Sequence, residues 1–226
     1  MRPEGKFFIA LDGMTHRRAL LLTKKFTRSP LAKHIAGFKI HDLWDRYGHT
    51  IIGDLRKSGA RVIWLDLKLH DTPKTIGFRA NAARRAGADV LSVHAGSGVR
   101  GMQAAISSGL KIVAISILTS LDKKEAQKIY GSSPAHAVRR LYALAKEAGV
   151  WGLVSSAEEL ASLPKSQELK LIIPGIQLHK SKSVNQKRTG TPLETFALGA
   201  DHLVLGSAIT KTKDPLRTFE RLTANW

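Results

Sequence analysis

The chain has 226 residues, a length typical of one large domain, and 43% of them are hydrophobic. This composition, with only 8 prolines, excludes disordered and collagen-like chains, and the absence of cysteine excludes disulfides, zinc–thiolate centres and a cysteine nucleophile. Lysine and arginine number 36 against 18 acidic residues, so the formal net charge is +18. That surplus favours anionic ligands but does not choose between a phosphorylated metabolite and a nucleic acid.

Short apolar runs alternate with longer amphipathic segments along the whole chain. The runs predict eight β-strands, at residues 7–11, 35–40, 62–67, 90–93, 112–118, 151–154, 171–173 and 203–205. The segments between them predict helices that include residues 17–26, 43–58, 75–86, 102–108 and 134–148. Asp214 and Pro215 predict the start of a last helix, because they combine an N-cap residue with a proline in the first turn.

Alternation of strands and helices indicates a parallel sheet. Eight such units in 226 residues predict a (β/α)₈ barrel of the TIM type, as one catalytic domain over residues 1–226. The alternative is a doubly wound open sheet, whose first strand is usually followed by a glycine-rich dinucleotide-binding turn. The turn at residues 12–15 reads Asp-Gly-Met-Thr and lacks that pattern, which favours the barrel.

The hydropathy of the chain bears on its location. The apolar run at residues 7–11 is too short for the core of a signal peptide. No stretch approaches the roughly 18 consecutive apolar residues of a membrane span. We therefore expect a cytoplasmic protein that does not bind membranes.

Polar residues stand where several predicted strands end, and a barrel draws its reactive groups from those carboxyl ends. Asp12 follows the first strand, Lys39 ends the second and Thr119 follows the fifth. The third strand leads into IWLDLKLHDTPKT, residues 63–75, where strand alternation puts Asp66 and Lys68 on one face. With Lys39 they would form an alternating ionic array, either a structural salt-bridge network or a preorganised electrostatic site. Its position at a strand end favours the electrostatic site.

The segment 66–75 resembles the D-x-K-x-x-D-x-P-x-T signature of the orotidine 5′-phosphate decarboxylase family. The resemblance covers nearly the whole chain, because short motifs at other strand ends agree in order and spacing. They are Ala10-Leu11-Asp12, Phe38-Lys39, Val93-His94-Ala95, Leu118-Thr119-Ser120, Pro174-Gly175-Ile176, Gln186 and Leu205-Gly206.

The resemblance implies decarboxylation of orotidine 5′-monophosphate (OMP) to UMP in pyrimidine biosynthesis, without a metal or cofactor. It implies that Lys68 delivers the proton to C6 of the pyrimidine and that Asp66 lies against the departing carboxylate. Lys39 and Asp71 would complete the charge array, and Asp12 would bind ribose hydroxyls.

The resemblance also implies a homodimer with active sites at its interface. Asp71 and Thr75 would enter the site of the partner subunit. Thr119 and Ser120 would contact the pyrimidine ring, and Gln186 of the long loop after the seventh strand would contribute to substrate binding.

Two positions depart from the family pattern where the substrate phosphate is bound. The family places an arginine directly after the glycine of the eighth strand, and bacterial members often have another after Pro-Gly-Ile. This chain has Ser207 and Gln177 there. We expect the N–H groups of Gly206 and Ser207, with the Ser207 hydroxyl, to bind the phosphate. We expect Arg188 or Lys187 to supply the missing charge.

Two other functions stay open at this point. A magnesium-dependent phosphosugar decarboxylase or aldolase of the same superfamily shares D-x-K-x-x-D, although Pro73 and Thr75 favour the first function. A barrel that binds polyanions without catalysis would explain the +18 charge, but it would leave the costly ionic array unexplained. Nucleic acid is the less favoured partner, because no basic–aromatic alternation suited to stacking on bases is present.

Overall fold

The computed structural model describes residues 5–164, 166–177 and 191–224. Within these residues eight parallel strands close into a barrel, each paired with its sequence neighbours and β1 paired with β8. The strands are Phe7–Ala10 (β1), Ile35–Ile40 (β2), Ile63–Leu69 (β3), Val90–His94 (β4), Lys111–Ile115 (β5), Gly152–Val154 (β6), Lys170–Ile173 (β7) and His202–Leu205 (β8). The predicted (β/α)₈ fold class is therefore confirmed.

Helices connect the strands and surround the barrel. They are His16–Thr27 (α1), Asp42–Tyr47 (α2), Thr50–Lys57 (α3), Pro73–Arg85 (α4), Gly98–Ile106 (α5), Lys123–Tyr130 (α6), Pro134–Ala148 (α7), Ala157–Leu160 (α8), Pro192–Ala197 (α9), Ser207–Thr210 (α10) and Pro215–Thr223 (α11). Asp214 caps α11 as predicted, because its carboxylate accepts from the N–H groups of Leu216 and Arg217. None of the described helices has the length and apolar character to cross a membrane.

Several element bounds differ from the sequence prediction, and two of the differences have a clear position in the chain. The single helix expected at residues 43–58 is two helices, α2 and α3. Gly48 separates them with a φ of 57°, a value that interrupts a right-handed helix and favours glycine. The fifth strand ends at Ile115, three residues before the predicted end, and Ser116 begins the connection to α6.

The strands place alternate side chains in two apolar environments. One set fills the inside of the barrel, and it consists of Phe8, Ala10, Trp64, Val90, Val113, Ile115, Val154, Ile172 and Val204. The other set, which includes Ile9, Leu65 and Leu91, packs against the helices. Because Leu65 faces the helices, the alternation directs Asp66 toward the interior, as expected from the sequence.

Gly37 allows β2 to approach β3 closely. A Cβ atom at this position would lie 2.8 Å from the carbonyl oxygen of Val62 and 2.9 Å from its Cβ atom. Val62 directly precedes β3, and the two atoms are a backbone oxygen and a Cβ atom, so a rotamer change cannot relieve the contact. An added methyl group must instead shift one strand, which is costly in a packed interior.

We predict that Gly37→Ala lowers the free energy of unfolding by about 1–3 kcal/mol, measured by urea denaturation. Gly53→Ala is the matched control, because Gly53 is exposed in α3 and a Cβ there meets nothing within 4 Å. Alanine at that helical position should raise the same free energy by about 0.5–1 kcal/mol. Changes of the same sign in both variants would contradict the strand-approach argument.

Candidate active site

A cavity of about 450 Å³ lies at the carboxyl ends of the strands. The site predicted for a barrel is at this end. The cavity wall contains seven of the residues to which the sequence analysis assigns a role in the site, namely Asp12, Lys39, Asp66, Lys68, Thr119, Gly206 and Ser207. Their elements are far apart in the chain, and closure of the barrel brings them together.

Asp12, Lys39, Asp66 and Lys68 form a continuous row of alternating charges. The Lys39 ammonium donates to Asp12 Oδ2 at 2.5 Å and lies 2.9 Å from Asp66 Oδ2. The Lys68 ammonium donates to the same Asp66 oxygen at 2.7 Å. Asp66 thus holds both ammonium groups, and adjacent strands supply the members in order.

Burial and charge act in opposite directions on the centre of this array. The side chains of Lys39 and Asp66 are 9% and 8% exposed. Burial disfavours the Lys39 ammonium, but the carboxylates of Asp66 and Asp12 outweigh it and raise the pKa of Lys39 above its usual range. Burial likewise disfavours the Asp66 carboxylate, while Lys39 and Lys68 hold its pKa well below the usual range. Both groups are therefore ionised at neutral pH.

Lys68 has an unusual backbone conformation. Its φ is 46°, and it is the one non-glycine residue with positive φ in the described part of the chain. The pairing of β3 with β4 shifts register between Leu65 and Leu69, so the strain coincides with an irregularity in the ladder. Backbone strain of this kind costs about 1–3 kcal/mol and is concentrated at functional sites.

Ser92 supports the array and was not identified from the sequence. Its hydroxyl is buried between β3 and β4, where it donates to Asp66 Oδ1 at 2.8 Å. It also accepts from the backbone N–H of Lys68 at 3.0 Å. The period-two pattern could have found Ser92, because it lies two residues before His94 on the inward face of β4.

Lys211 is a second cavity residue that the sequence analysis missed. It directly follows α10 and lines the cavity with Gly206 and Ser207. Its side chain makes no ion pair with any carboxylate in residues 5–164, 166–177 or 191–224. The spacing of four residues from Ser207 could have indicated it, because such residues share one face of a helical turn.

The remaining sequence-predicted residues are not in this cavity wall. Asp71 accepts from the Thr72 N–H, and Thr75 shares a hydrogen bond with the Thr72 hydroxyl, both outside the cavity of their own chain. Ser120 is exposed and lies outside the lining. The predictions for Gln186, Lys187 and Arg188 concern positions outside the described residues. Gln177, at one of the departures from the family pattern, does line the cavity.

His94 ends β4, two residues after Ser92, and stacks on His70. The ring centroids are 4.9 Å apart with an interplanar angle of 12°, and His94 Nδ1 accepts from the Gly96 N–H at 3.1 Å. Burial, and then the proximity of His70, lower the pKa of His94 to about 4. The imidazole is therefore neutral at physiological pH.

We predict that His94 makes the fold less stable at acidic pH. The unfolded chain binds a proton at His94 near the ordinary histidine pKa of 6.5, whereas the folded chain does so only near 4. The unfolded state therefore gains protons first, and stability falls as the pH drops through this window. Between pH 7 and pH 5 the Tm of the wild type should fall more than that of His94→Asn, whose amide oxygen preserves an acceptor for Gly96. Parallel Tm curves for the two proteins would contradict this.

Known proteins are similar to this chain over nearly its whole length. The model of the orotidine 5′-phosphate decarboxylase / HUMPS family matches residues 5–222. A relative named orotidine 5′-phosphate decarboxylase from Geobacillus kaustophilus (strain HTA426) is 33% identical, over 97% of this chain and 94% of its own length. A relative of the same name from Marinomonas sp. (strain MWYL1) is 32% identical, over 100% of this chain and 98% of its own length.

Two solved structures share the fold of this chain. The crystal structure of an uncharacterised conserved protein from Geobacillus kaustophilus has a TM-score of 0.76 and 30% identity, and covers 97% of this chain and 99% of its own. The crystal structure of orotidine 5′-phosphate decarboxylase from Lactobacillus acidophilus has a TM-score of 0.79 at 24% identity. It covers 97% of this chain and 98% of its own, and it supports the fold. The family expected from the signature is confirmed, and this chain belongs to the orotidine 5′-phosphate decarboxylase / HUMPS family.

Proposed function

We propose that this protein is an orotidine 5′-phosphate decarboxylase, a carboxy-lyase that converts OMP to UMP and CO₂ in pyrimidine biosynthesis. The observation that carries the proposal is the row Asp12, Lys39, Asp66 and Lys68 in a cavity wall at the carboxyl end of the barrel. The names of the relatives and the family match support it.

The array suits a reaction that develops negative charge on a ring carbon. When the bond between C6 and the carboxylate breaks, CO₂ leaves and an electron pair stays on C6. An ammonium about 3 Å away stabilises that charge by roughly 5 kcal/mol at an effective dielectric near 20. The Lys68 side chain is 34% exposed, and it is the member of the array that we assign to C6 as proton donor. The proton moves from its Nζ to C6, so the step as written needs no external electron acceptor.

Asp66 is assigned two effects on the substrate. Its carboxylate stays ionised beside Lys39 and Lys68, so a substrate carboxylate placed against it is repelled until CO₂ departs. The Asp66 carboxylate also directs the Lys68 ammonium, from which its Oδ2 atom accepts a hydrogen bond at 2.7 Å. An interaction that is relieved in the transition state lowers the barrier, whereas uniform binding does not.

The positions of Asp71 and Thr75 support a homodimer in which each subunit completes the site of the other. Both residues belong to the family signature, yet neither lines the cavity of its own chain. We assign them to the site of the partner subunit. Each chain would then act as one catalytic domain, with Asp12 at the ribose and Thr119 at the pyrimidine ring.

Purified protein should consume OMP at equal rates in the presence and absence of a chelator. The reaction is monitored by the loss of the ultraviolet absorbance of OMP.

Lys68→Ala should lower kcat on the order of 10³-fold, because it removes the proton donor, and should leave UMP binding measurable. Lys213→Ala, a charge loss at an exposed position outside the cavity, is the control with unchanged kcat. Near-normal turnover by Lys68→Ala would refute the assigned donor. Chelator-sensitive turnover of a sugar phosphate, without turnover of OMP, would instead indicate the magnesium-dependent branch.

We assign the phosphate of OMP to the part of the cavity formed by Gly206, Ser207 and Lys211. Lys39 and Lys68 already have carboxylate partners, whereas the Lys211 ammonium has none within the described ranges. A phosphate dianion would give the Lys211 ammonium an anionic partner. Lys211 would thus provide the charge that the family supplies by arginine, and Ser207 would add a hydroxyl donor.

Lys211→Ala should raise KM for OMP by about ten- to a hundredfold, because charge-assisted hydrogen bonds contribute about 1.5–3 kcal/mol. Lys213→Ala removes the same charge two residues away and should leave KM within about twofold of the wild type, since only nonspecific attraction changes. An unchanged KM in Lys211→Ala, with a raised KM in Arg188→Ala, would place the phosphate contact in the loop instead.

A further inference from the structure

We propose that Ser92 is a positioning residue, whose hydroxyl holds the Asp66 carboxylate and the Lys68 main chain in the arrangement that decarboxylation requires. The inference rests on the proposed function, because this arrangement affects turnover only if Lys68 delivers a proton to the substrate. It concerns a residue outside the signature of segment 66–75, on a different strand.

The Ser92 hydroxyl makes two hydrogen bonds at once, and both go to the array. It donates its one proton to Asp66 Oδ1 at 2.8 Å and accepts the Lys68 N–H at 3.0 Å on a lone pair. Ser92 is 0% exposed. Burying a hydroxyl is unfavourable unless it is hydrogen-bonded, so these two contacts compensate for the burial of Ser92.

The three donors to Asp66 are divided between its two oxygens. Oδ2 interacts with both ammonium groups, of Lys39 at 2.9 Å and of Lys68 at 2.7 Å, whereas Oδ1 accepts from Ser92. Contacts on both oxygens fix the rotation of the carboxylate about its Cβ–Cγ bond. Without the serine hydroxyl, Oδ1 would lose its side-chain donor and the carboxylate could turn away from Lys68.

The second hydrogen bond holds the strained backbone of Lys68. The shift of register between Leu65 and Leu69 interrupts the β3–β4 ladder at this residue, and the Lys68 N–H is donated to the Ser92 side chain. A φ of 46° is uncommon for a residue with a Cβ atom, and it persists only where surrounding contacts impose it. Ser92 makes such a contact. Its hydroxyl links the main chain of Lys68 to the Asp66 carboxylate, which the Lys68 ammonium also contacts.

The direct test compares Ser92→Ala with Ser92→Thr, which keeps the hydroxyl. In Ser92→Ala, kcat for OMP should fall by about ten- to a hundredfold, with KM and the Kd for UMP within about threefold of the wild type. The split is expected because Ser92 contacts the catalytic groups and does not line the cavity. Ser92→Thr should recover most of the lost kcat.

Ser116→Ala is the matched control for the loss of a buried serine hydroxyl. Ser116 is also 0% exposed, and its hydroxyl donates to the Val154 carbonyl oxygen at 2.7 Å rather than to a member of the array. Both alanine variants should lose thermal stability, measured as Tm, but only Ser92→Ala should lose kcat. Equal losses of kcat in the two variants would overturn the proposal, since they would indicate a general effect of stability.

Failure of this inference and failure of the proposed function give different results. A wild-type protein that turns over OMP, with Ser92→Ala within threefold of its kcat, overturns the role of Ser92 alone. A wild-type protein that does not turn over OMP overturns the proposed function. Crystal structures of the wild type and Ser92→Ala then decide the positioning role. A Lys68 that keeps its positive φ and its contact with Asp66 in Ser92→Ala overturns it, and loss of either supports it.

Discussion

One carboxylate oxygen inside this barrel holds two ammonium groups within 3 Å, and the rest of the site depends on that contact. Without Asp66 between them, Lys39 and Lys68 would repel each other in surroundings that screen charge poorly. Asp66 in turn stays ionised in a buried position because both cations and the Ser92 hydroxyl compensate for its lost hydration. The array is therefore mutually dependent, and removing Asp66 would take this carboxylate from Lys68 and leave Lys39 with the Asp12 carboxylate alone.

The barrel keeps these groups at fixed distances, because each strand end is held by its neighbours. Asp12, Lys39 and Asp66 follow or lie on three consecutive strands, β1, β2 and β3, so the spacing between strands sets the spacing between charges. A preorganised row of this kind needs little reorganisation when charge develops on a bound substrate. The high net positive charge of the chain adds a long-range attraction for anionic ligands.

The sequence predicted what depends on simple periodicity. Alternation along β3 indicated that Asp66 and Lys68 share a face, and the strand–helix rhythm indicated the barrel. The break at Gly48 was missed, because an apolar pattern continues through it while one backbone angle interrupts the helix. Local spacing could have pointed to the positions of Ser92 and Lys211, but their contacts arise from a register shift between two strands and from a short helical turn after β8. Such features depend on tertiary geometry, which local residue patterns do not encode.

The left-handed backbone of Lys68 has a consequence for how this chain can change. A residue without a Cβ atom would adopt that angle freely, so glycine here would relax the backbone while deleting the ammonium group. The same change would take from the buried Asp66 one of the two cations that compensate for its lost hydration. Backbone strain and charge at Lys68 therefore act in opposite directions on the stability of the fold.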